Sequence, residues 1–393
     1  MNTEFDEIRP YDDTELPAAV EELIADPDFR DVASRAMPDI PFEELARMMR
    51  ACRTKSEIQT RVCYKVVERI IERATLGISL DYSALEGDCK PAYTYVSNHR
   101  DIVLDSAFLS MLLVARGLDT VEIAIGDNLL IYPWIKRLVR LNKSFIVQRA
   151  LSMRQKLESS ARMSRYMHYT IQAKRQSIWI AQREGRAKDS DDRTQESVLK
   201  MMAMAGEGTP AQRLAELNIV PLAISYEFDP CDFLKAREFQ LKRDNPDYRK
   251  TQADDLQNML TGLVGYKGHV HLQVAPCLNA FLAATDDPAL PRQEWFARVA
   301  REVDRGIHAN YRLYPGNYVA FDLLQGGRAF ATRYTATDRD RFCAYLEKQL
   351  SRIDLPGKDV PYLRHKLLEM YANPLKNWLE ACGTEADGEG GAQ

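Results

Sequence analysis

The segment YTYVSNHRDIVLD, residues 93–105, brings one histidine and two carboxylates close together in the sequence. His99 is followed by Asp101 and by Asp105. An imidazole acts as a general base when a carboxylate accepts the hydrogen bond of its other ring N–H, fixes its tautomer and favours the imidazolium that forms. Asp101 also has a structural interpretation, because Asp is among the best residues for capping the start of a helix. The residues alone are compatible with a catalytic His–Asp pair or with an ordinary capped turn.

The spacing of these residues restricts where His99 can lie. Neighbours on one face of a straight helix are three or four positions apart, so His99 and Asp105 could not meet if both were helical. We therefore expect His99 in an extended turn before the helix, with its ring folded back toward Asp105. Asp101 is the competing residue for orienting the imidazole.

Two later segments place basic residues at the ends of predicted strands. In KSFIVQR, residues 143–149, Arg149 ends a strand beside a helix start, where its planar guanidinium would suit phosphate oxygens. In REGR, residues 183–186, Gly185 would let the backbone approach a ligand closely, and Arg186 would add positive charge. Each segment also has a plainer interpretation, as a surface arginine in the first case and an ordinary loop in the second.

Short apolar runs alternate with amphipathic stretches from about Pro91 onward, and the strands and helices that they predict would position these segments. The pattern predicts an α/β fold with a mixed, mostly parallel sheet flanked by helices. Ligands of open α/β sheets bind at the carboxyl ends of the strands, where the three segments would lie. The predicted strands are residues 92–96, 121–125, 144–147, 177–181, 219–225 and 270–275.

Helical periodicity dominates both ends of the chain. We predict an N-terminal helical region over residues 1–80, an α/β domain over 81–290 and a C-terminal helical region over 291–382. Residues 383–393 lack any large apolar side chain, which predicts a disordered tail.

Four blocks in this order resemble those of the glycerol-phosphate and lysophosphatidate acyltransferases. Asn98-His99 with the later Leu-Asp105 resembles the family's His-x4-Asp block, although five residues separate the two side chains here. Residues 143–149 resemble the second block. Glu184-Gly185-Arg186 resembles the third, one residue shorter than Glu-Gly-x-Arg. The fourth is IVPLAISYE, residues 219–227, with proline near its start and Tyr-Glu at its end. The resemblance covers about residues 92–229.

The resemblance implies transfer of a fatty acyl group from acyl-CoA or acyl-carrier protein to a hydroxyl of glycerol-3-phosphate or lysophosphatidate, in phospholipid synthesis and without a cofactor. His99 would be the base, oriented by Asp105 or Asp101. The substrate-binding residues that it implies are Arg100, Lys143, Arg149, Glu184, Gly185 and Arg186. Two other functions stay open: an acyl-thioesterase that uses water as acceptor, and a lipid-surface or partner-binding module without catalysis.

Composition narrows the remaining possibilities. The formal net charge of -4 excludes a uniformly basic nucleic-acid wrapper, although residues 135–200 carry a balance of +10 and residues 1–45 a balance of -11. Seven scattered cysteines suggest neither a disulfide framework nor a zinc site, and we expect no metal. The acidic start has no apolar targeting core, and no window reaches the roughly 18 apolar residues of a spanning helix, so we expect a cytoplasmic protein.

The segment LLIYPWIKRLVRLNK, residues 129–143, combines aromatic and apolar residues with basic ones. This composition is typical of a helix that lies in an anionic lipid interface, and it fits a core helix with a basic edge equally well. The first interpretation predicts peripheral attachment to the inner face of the membrane.

Overall fold

The computed structural model describes residues 3–88, 90–130, 132–148 and 153–383. Arg149, one of the expected phosphate ligands, lies outside these ranges. So does the predicted disordered tail, apart from Gly383.

The centre of the protein is a seven-stranded sheet in the order β1-β7-β6-β2-β5-β3-β4. All neighbouring strands are parallel except β6 and β7, which are antiparallel. The predicted mixed, mostly parallel α/β sheet is thus confirmed. The first strand was not predicted, because it is short and only Ile78 and Leu80 of its five residues are apolar. The strands are β1 (Gly77–Asp81), β2 (Thr94–Ser97), β3 (Glu122–Gly126), β4 (Ser144–Val147), β5 (Ile178–Ala181), β6 (Ile219–Tyr226) and β7 (His269–Val274).

Helices precede, flank and follow the sheet. Several begin at residues that cap helices well, and Thr251 and Thr335 each form a reciprocal capping box with the Asp three positions on. The helices are α1 (Leu16–Ile24), α2 (Pro27–Ala36), α3 (Phe42–Ala51), α4 (Lys55–Ile58), α5 (Tyr64–Ala74), α6 (Leu104–Ala115), α7 (Pro133–Leu141), α8 (Met153–His168), α9 (Glu196–Met202), α10 (Pro210–Ala215), α11 (Asp232–Asp244), α12 (Gln252–Val264), α13 (Asn279–Ala284), α14 (Arg292–His308), α15 (Pro315–Gln325), α16 (Ala336–Ser351) and α17 (Val360–Cys382).

Each face of the sheet buries its own apolar core, because successive residues of a strand point to opposite faces. On one face, Ile219 and Ala223 of β6 pack with residues of α8, α9, α10, α13 and α14. On the other face, Val220 and Leu222 pack with residues of α5 and α6. Two further cores lie outside the sheet, one among α11 and α15 to α17 and the other among α1 to α3.

The basic helix α7 belongs to the N-terminal core. Its Leu141 is fully buried there, and Trp134 and Leu138 pack against the same cluster. Its Arg137 pairs with Glu22, so part of the acidic N-terminal charge meets the basic middle of the chain directly. Of the two interpretations of residues 129–143, this packing agrees with the core helix that has a basic edge. No helix within the described ranges combines the length and the apolarity needed to span a bilayer.

Candidate active site

His99 and Asp105 meet at the carboxyl end of β2. The Nδ1 atom of His99 lies 2.8 Å from Oδ2 of Asp105, and Asp105 is completely buried while the His99 side chain keeps 14% of its surface exposed. Since a carboxylate only accepts, Nδ1 carries the proton, which leaves Nε2 as an acceptor for a substrate proton. The pair thus has the arrangement of a general base and its orienting carboxylate.

The five-residue spacing is accommodated before the helix. Strand β2 ends at Ser97 and α6 begins at Leu104, so His99 is not helical and Asp105 stands in the first turn. The backbone N–H groups of Arg100 and Asp101 also donate to Oδ2 of Asp105, at 2.7 and 3.0 Å. The turn therefore wraps around the Asp105 carboxylate and holds it against the imidazole.

Tyr226 completes the environment of Asp105. Its hydroxyl donates to Oδ1 of Asp105 at 3.2 Å, from the last residue of β6. Burial, followed by the nearby Asp105 charge, raises the pKa of Tyr226 well above its usual value, so the phenol keeps the proton that it donates. The fourth sequence block contains Tyr226, but only the structure shows its contact with Asp105.

Asp101 is a helix cap and does not orient His99. Its Oδ1 accepts hydrogen bonds from the backbone N–H groups of Val103 and Leu104, at 2.9 and 2.8 Å. Burial and then the charge of Asp105 raise the pKa of Asp101, and the positive charge of Arg186 partly opposes this rise. Of the two carboxylates that the sequence left open, Asp105 is the one in contact with the imidazole.

The face of α12 closes over Asp101. A Cβ atom at Gly262 would lie 2.2 Å from Oδ2 of Asp101, so only glycine allows this approach. One turn earlier on the same helix, Oδ1 of Asn258 accepts a hydrogen bond from Nη2 of Arg186 at 3.1 Å. Neither α12 residue was expected from the sequence, because nothing local in the sequence links α12 to the histidine turn.

Trp179 on β5 packs against the imidazole. The ring centroids of His99 and Trp179 are 5.6 Å apart and the rings meet edge to face, at 64°. The indole N–H donates to Oγ of Ser97 at 3.0 Å, which fixes the indole beside the end of β2. The sequence analysis missed Trp179, whose one available signal was its position on a strand that would lie beside β2.

The side chain of Arg100 turns to an internal partner. Its Nη2 lies 2.9 Å from Oδ2 of Asp192, and both side chains are buried. Asp192 belongs to the loop after β5, which also carries Arg186. The ion pair thus joins that loop to the histidine turn, and Arg100 is already occupied where the sequence analysis expected a substrate contact.

Arg186 comes to this end of the sheet, as expected. Its side chain is buried, and Nη1 has no hydrogen-bond partner among the described residues. The preceding Gly185 has a φ of +69°, a left-handed conformation that glycine adopts without a steric cost. Glu184 is exposed on the same loop, and its backbone N–H donates to Oε1 of Gln195 at 2.8 Å.

Lys143 lies away from the other predicted residues. It precedes β4, whereas His99 follows β2 and Arg186 follows β5, so it stands at the amino ends of the parallel strands. Its Nζ donates to Oγ1 of Thr120 at 2.7 Å and lies 3.2 Å from Oδ1 of Asp119. Burial lowers the pKa of the Lys143 ammonium. The structure does not bring Lys143 to the site.

The site is an imidazole–carboxylate pair at the carboxyl edge of a mostly parallel sheet, with a buried guanidinium close by. Such a site suits enzymes that activate a hydroxyl group or water for attack on a carbonyl. Within the described ranges, no group of three or more His, Cys, Asp or Glu side chains is placed to hold a metal ion.

Comparison with known proteins gives the class. Residues 82–225 match the family model described as Acyltransferase, a range that contains His99, Asp105 and Arg186. Residues 82–225 therefore form an acyltransferase domain, and the protein is an acyltransferase, as the sequence blocks predicted.

Other comparisons add little to this assignment. Among solved structures, the 1-acyl-sn-glycerophosphate (LPA) acyltransferase PlsC from Thermotoga maritima is similar with 10% sequence identity and a TM-score of 0.35, over 74% of this chain and 95% of that chain. No curated protein matches the chain.

Proposed function

We propose that this protein transfers a fatty acyl group from an acyl-thioester to a hydroxyl of a phosphorylated glycerol, either glycerol-3-phosphate or lysophosphatidate, in phospholipid synthesis. The observation that carries the proposal is the 2.8 Å contact between His99 and Asp105, which leaves Nε2 as the proton acceptor. The buried, unpartnered Nη1 of Arg186 on the adjoining loop supports an anionic acceptor.

The proposed reaction needs no covalent enzyme intermediate. Nε2 of His99 takes the proton of the acceptor hydroxyl while the oxygen attacks the thioester carbonyl. The tetrahedral intermediate then expels the thiolate, which takes the proton from the imidazolium and leaves as a thiol. Asp105 stabilises the imidazolium between these two steps, and the hydrogen bonds that it accepts keep its carboxylate in place.

The acceptor's phosphate would bind at the loop that follows β5. A buried guanidinium is a strong partner for phosphate, because its N–H groups match the phosphate oxygens. We assign this role to Arg186 and keep Arg149 as its expected companion, with Glu184 and Gly185 shaping the loop. Arg100 is occupied by Asp192, so we propose that it positions the loop.

Thiol release from acyl-CoA, measured with and without acceptor, tests the proposal. We expect release that depends on glycerol-3-phosphate or lysophosphatidate, with a radiolabelled acyl chain recovered in the lipid product. Release without any acceptor would instead indicate the thioesterase. Absence of release with every donor and acceptor would indicate a module without catalysis.

Tyr226→Phe tests the role of the phenol hydroxyl. Loss of a hydrogen bond to a charged carboxylate costs about 1.5 kcal/mol, so we expect kcat to fall by about tenfold while KM for the acceptor stays near the wild-type value. The phenylalanine keeps the ring contact with Phe108. Equal kcat values for the variant and the wild type would exclude an effect of Tyr226 on Asp105.

We also propose that the protein works in the cytoplasm at the inner face of the membrane, because its acceptor and product are lipids or lipid precursors. Apolar side chains stand exposed on and just after α12, the helix that covers Asp101: Leu260, Val264 and Tyr266, with Val264 77% exposed. Exposed apolar side chains beside a site for lipids suit contact with a bilayer surface.

Val264→Asp tests this contact. We expect the variant to float with anionic liposomes less than the wild type, because a carboxylate at this position would have to be buried in the interface or be repelled by it. Leu157→Asp, another exposed apolar position, on α8, serves as the control and should float like the wild type. Equal flotation of all three proteins would exclude α12 as the contact.

A further inference from the structure

A second concave region opens at the same end of the sheet as His99. It is a groove of ≈ 480 Å³ between the first residues of β1, the start of β7 and the segment that leads into α15. Pockets for small ligands and cofactors commonly measure about 300–1,000 Å³, so a ligand of nucleotide size fits. The side chains that give it chemical character are His269, Arg312 and Tyr314.

The groove carries a positive charge that no described internal partner neutralises. Arg312 is exposed, and its guanidinium has no ion pair or side-chain hydrogen bond among the described residues. Tyr314 is 7% exposed, and its buried hydroxyl likewise has no partner there. The unpaired guanidinium of Arg312 offers charged donors to an anionic group in the groove, and the start of α15 at Pro315 adds the favourable end of a helix dipole.

Planar rings line the same groove. The imidazole of His269 and the phenol of Tyr314 are parallel to within 9°, with centroids 6.5 Å apart. Leu76, Ile78 and Pro315 supply apolar surface beside them. Aromatic faces next to a cation are the combination that binds the base and the phosphates of a nucleotide.

The groove is close to the catalytic pair. β6 lies between β2 and β7, so the end of β2 and the start of β7 are about two strand spacings, or ~10 Å, apart. Arg312 also lines a small cavity of ≈ 30 Å³ together with Tyr226, whose hydroxyl donates to Asp105. Arg312 therefore borders both the groove and the surroundings of the catalytic carboxylate.

We propose that this groove, with Arg312, Tyr314 and His269, binds the phosphorylated nucleotide end of the acyl donor, so that the donor is acyl-CoA and not acyl-carrier protein. The inference rests on the proposed function and names the substrate class for its donor side. The arm that carries the thioester would span the ~10 Å between the groove and the end of β2.

Calorimetric titration with coenzyme A and with pantetheine tests the nucleotide site directly. We expect coenzyme A to bind the wild-type protein and pantetheine, which lacks the nucleotide, to bind far more weakly. Arg312→Ala should weaken binding of coenzyme A by about tenfold, the size expected for losing one charge-assisted hydrogen bond. Tyr314→Phe should weaken it by a smaller factor. The exposed Arg35 on α2 is the control, and Arg35→Ala should bind like the wild type.

Kinetics separate this inference from the proposed function. Arg312→Ala should raise KM for acyl-CoA by about tenfold, and KM for acyl-pantetheine by a much smaller factor. Transfer by the wild type, combined with equal coenzyme A affinity in the wild type and Arg312→Ala, would overturn the groove assignment alone. Absence of transfer with any donor would refute the proposed function, while coenzyme A binding could still be measured. Tight binding of adenosine 3′,5′-bisphosphate without binding of coenzyme A would also overturn the groove assignment, because the groove would then bind a free nucleotide.

Discussion

His99→Ala should lower the rate of acyl transfer by about two to four orders of magnitude, the usual contribution of a general base. Alanine removes the imidazole whose Nε2 is placed to take the acceptor's proton, while Asp105 keeps its bonds to two backbone N–H groups and to Tyr226. The loss should appear in kcat with little change in KM, measured by thiol release at saturating acceptor.

A second histidine provides a matched control for this experiment. His365 on α17 also lies beside a carboxylate, with Nε2 3.1 Å from Oε1 of Glu369, but the pair is on an exposed helix surface. His365→Ala should keep wild-type activity. Both variants should show the wild-type circular dichroism spectrum. Near wild-type transfer by a folded His99→Ala would remove the imidazole from the mechanism.

Asp105→Asn should lower kcat by on the order of 10³-fold, although the side chain keeps its size. The neutral amide no longer stabilises the imidazolium. If its NH₂ group takes the place of Oδ2, it faces the N–H donors of His99 and Asp101 and cannot accept their hydrogen bonds. The measurement is kcat across a range of pH, together with thermal unfolding to confirm that the variant is folded.

Asp101→Asn is the counterpart that separates orientation from capping. Asparagine caps helices about as well as aspartate, so we expect α6 to remain intact and the activity to stay within a few-fold of the wild type. The opposite pattern, with Asp101→Asn inactive and Asp105→Asn active, would reverse the assignment of the two carboxylates.

The contact between His99 and Asp105 could be predicted from the sequence because its parts are local. His99 and Asp105 belong to one strand–turn–helix segment, and the periodicity of helix faces is enough to place the histidine outside α6. The sequence leaves Asp101 open, because a capping residue and an orienting residue differ only in which atoms they contact. The structure distinguishes the two carboxylates by their hydrogen bonds. Oδ2 of Asp105 contacts the imidazole, whereas Oδ1 of Asp101 accepts from backbone N–H groups at the start of α6.

Lys143 and Arg149 show that residues of one sequence block need not share one site. Both belong to one sequence block, but a residue before a parallel strand and a residue after it lie at opposite ends of the sheet. For Lys143, this rule predicts a position at the amino ends of the strands. The structure places it there, with its Nζ bonded to Oγ1 of Thr120 and close to Oδ1 of Asp119. Arg149 lies outside the described residues, and its role stays a prediction.

The remaining neighbours of the site come from distant parts of the chain. Trp179, Asn258 and Gly262 reach the histidine turn and its loop through strand order and helix packing, which a single sequence does not encode locally. Strand β1 was missed for a related reason: it becomes a strand only by pairing with β7, whose sequence lies about 190 residues further along the chain. Tertiary contacts of this kind outweigh local preference.

The buried pair of Arg100 and Asp192 limits how this enzyme could be engineered. Removing one member of a buried ion pair leaves an uncompensated charge and commonly costs about 3–5 kcal/mol. Positions 100 and 192 can therefore be varied only together, even though Arg100 directly follows His99 in sequence. Attempts to retune acceptor preference should leave both in place and begin at Arg186, whose Nη1 is not committed to any other described group.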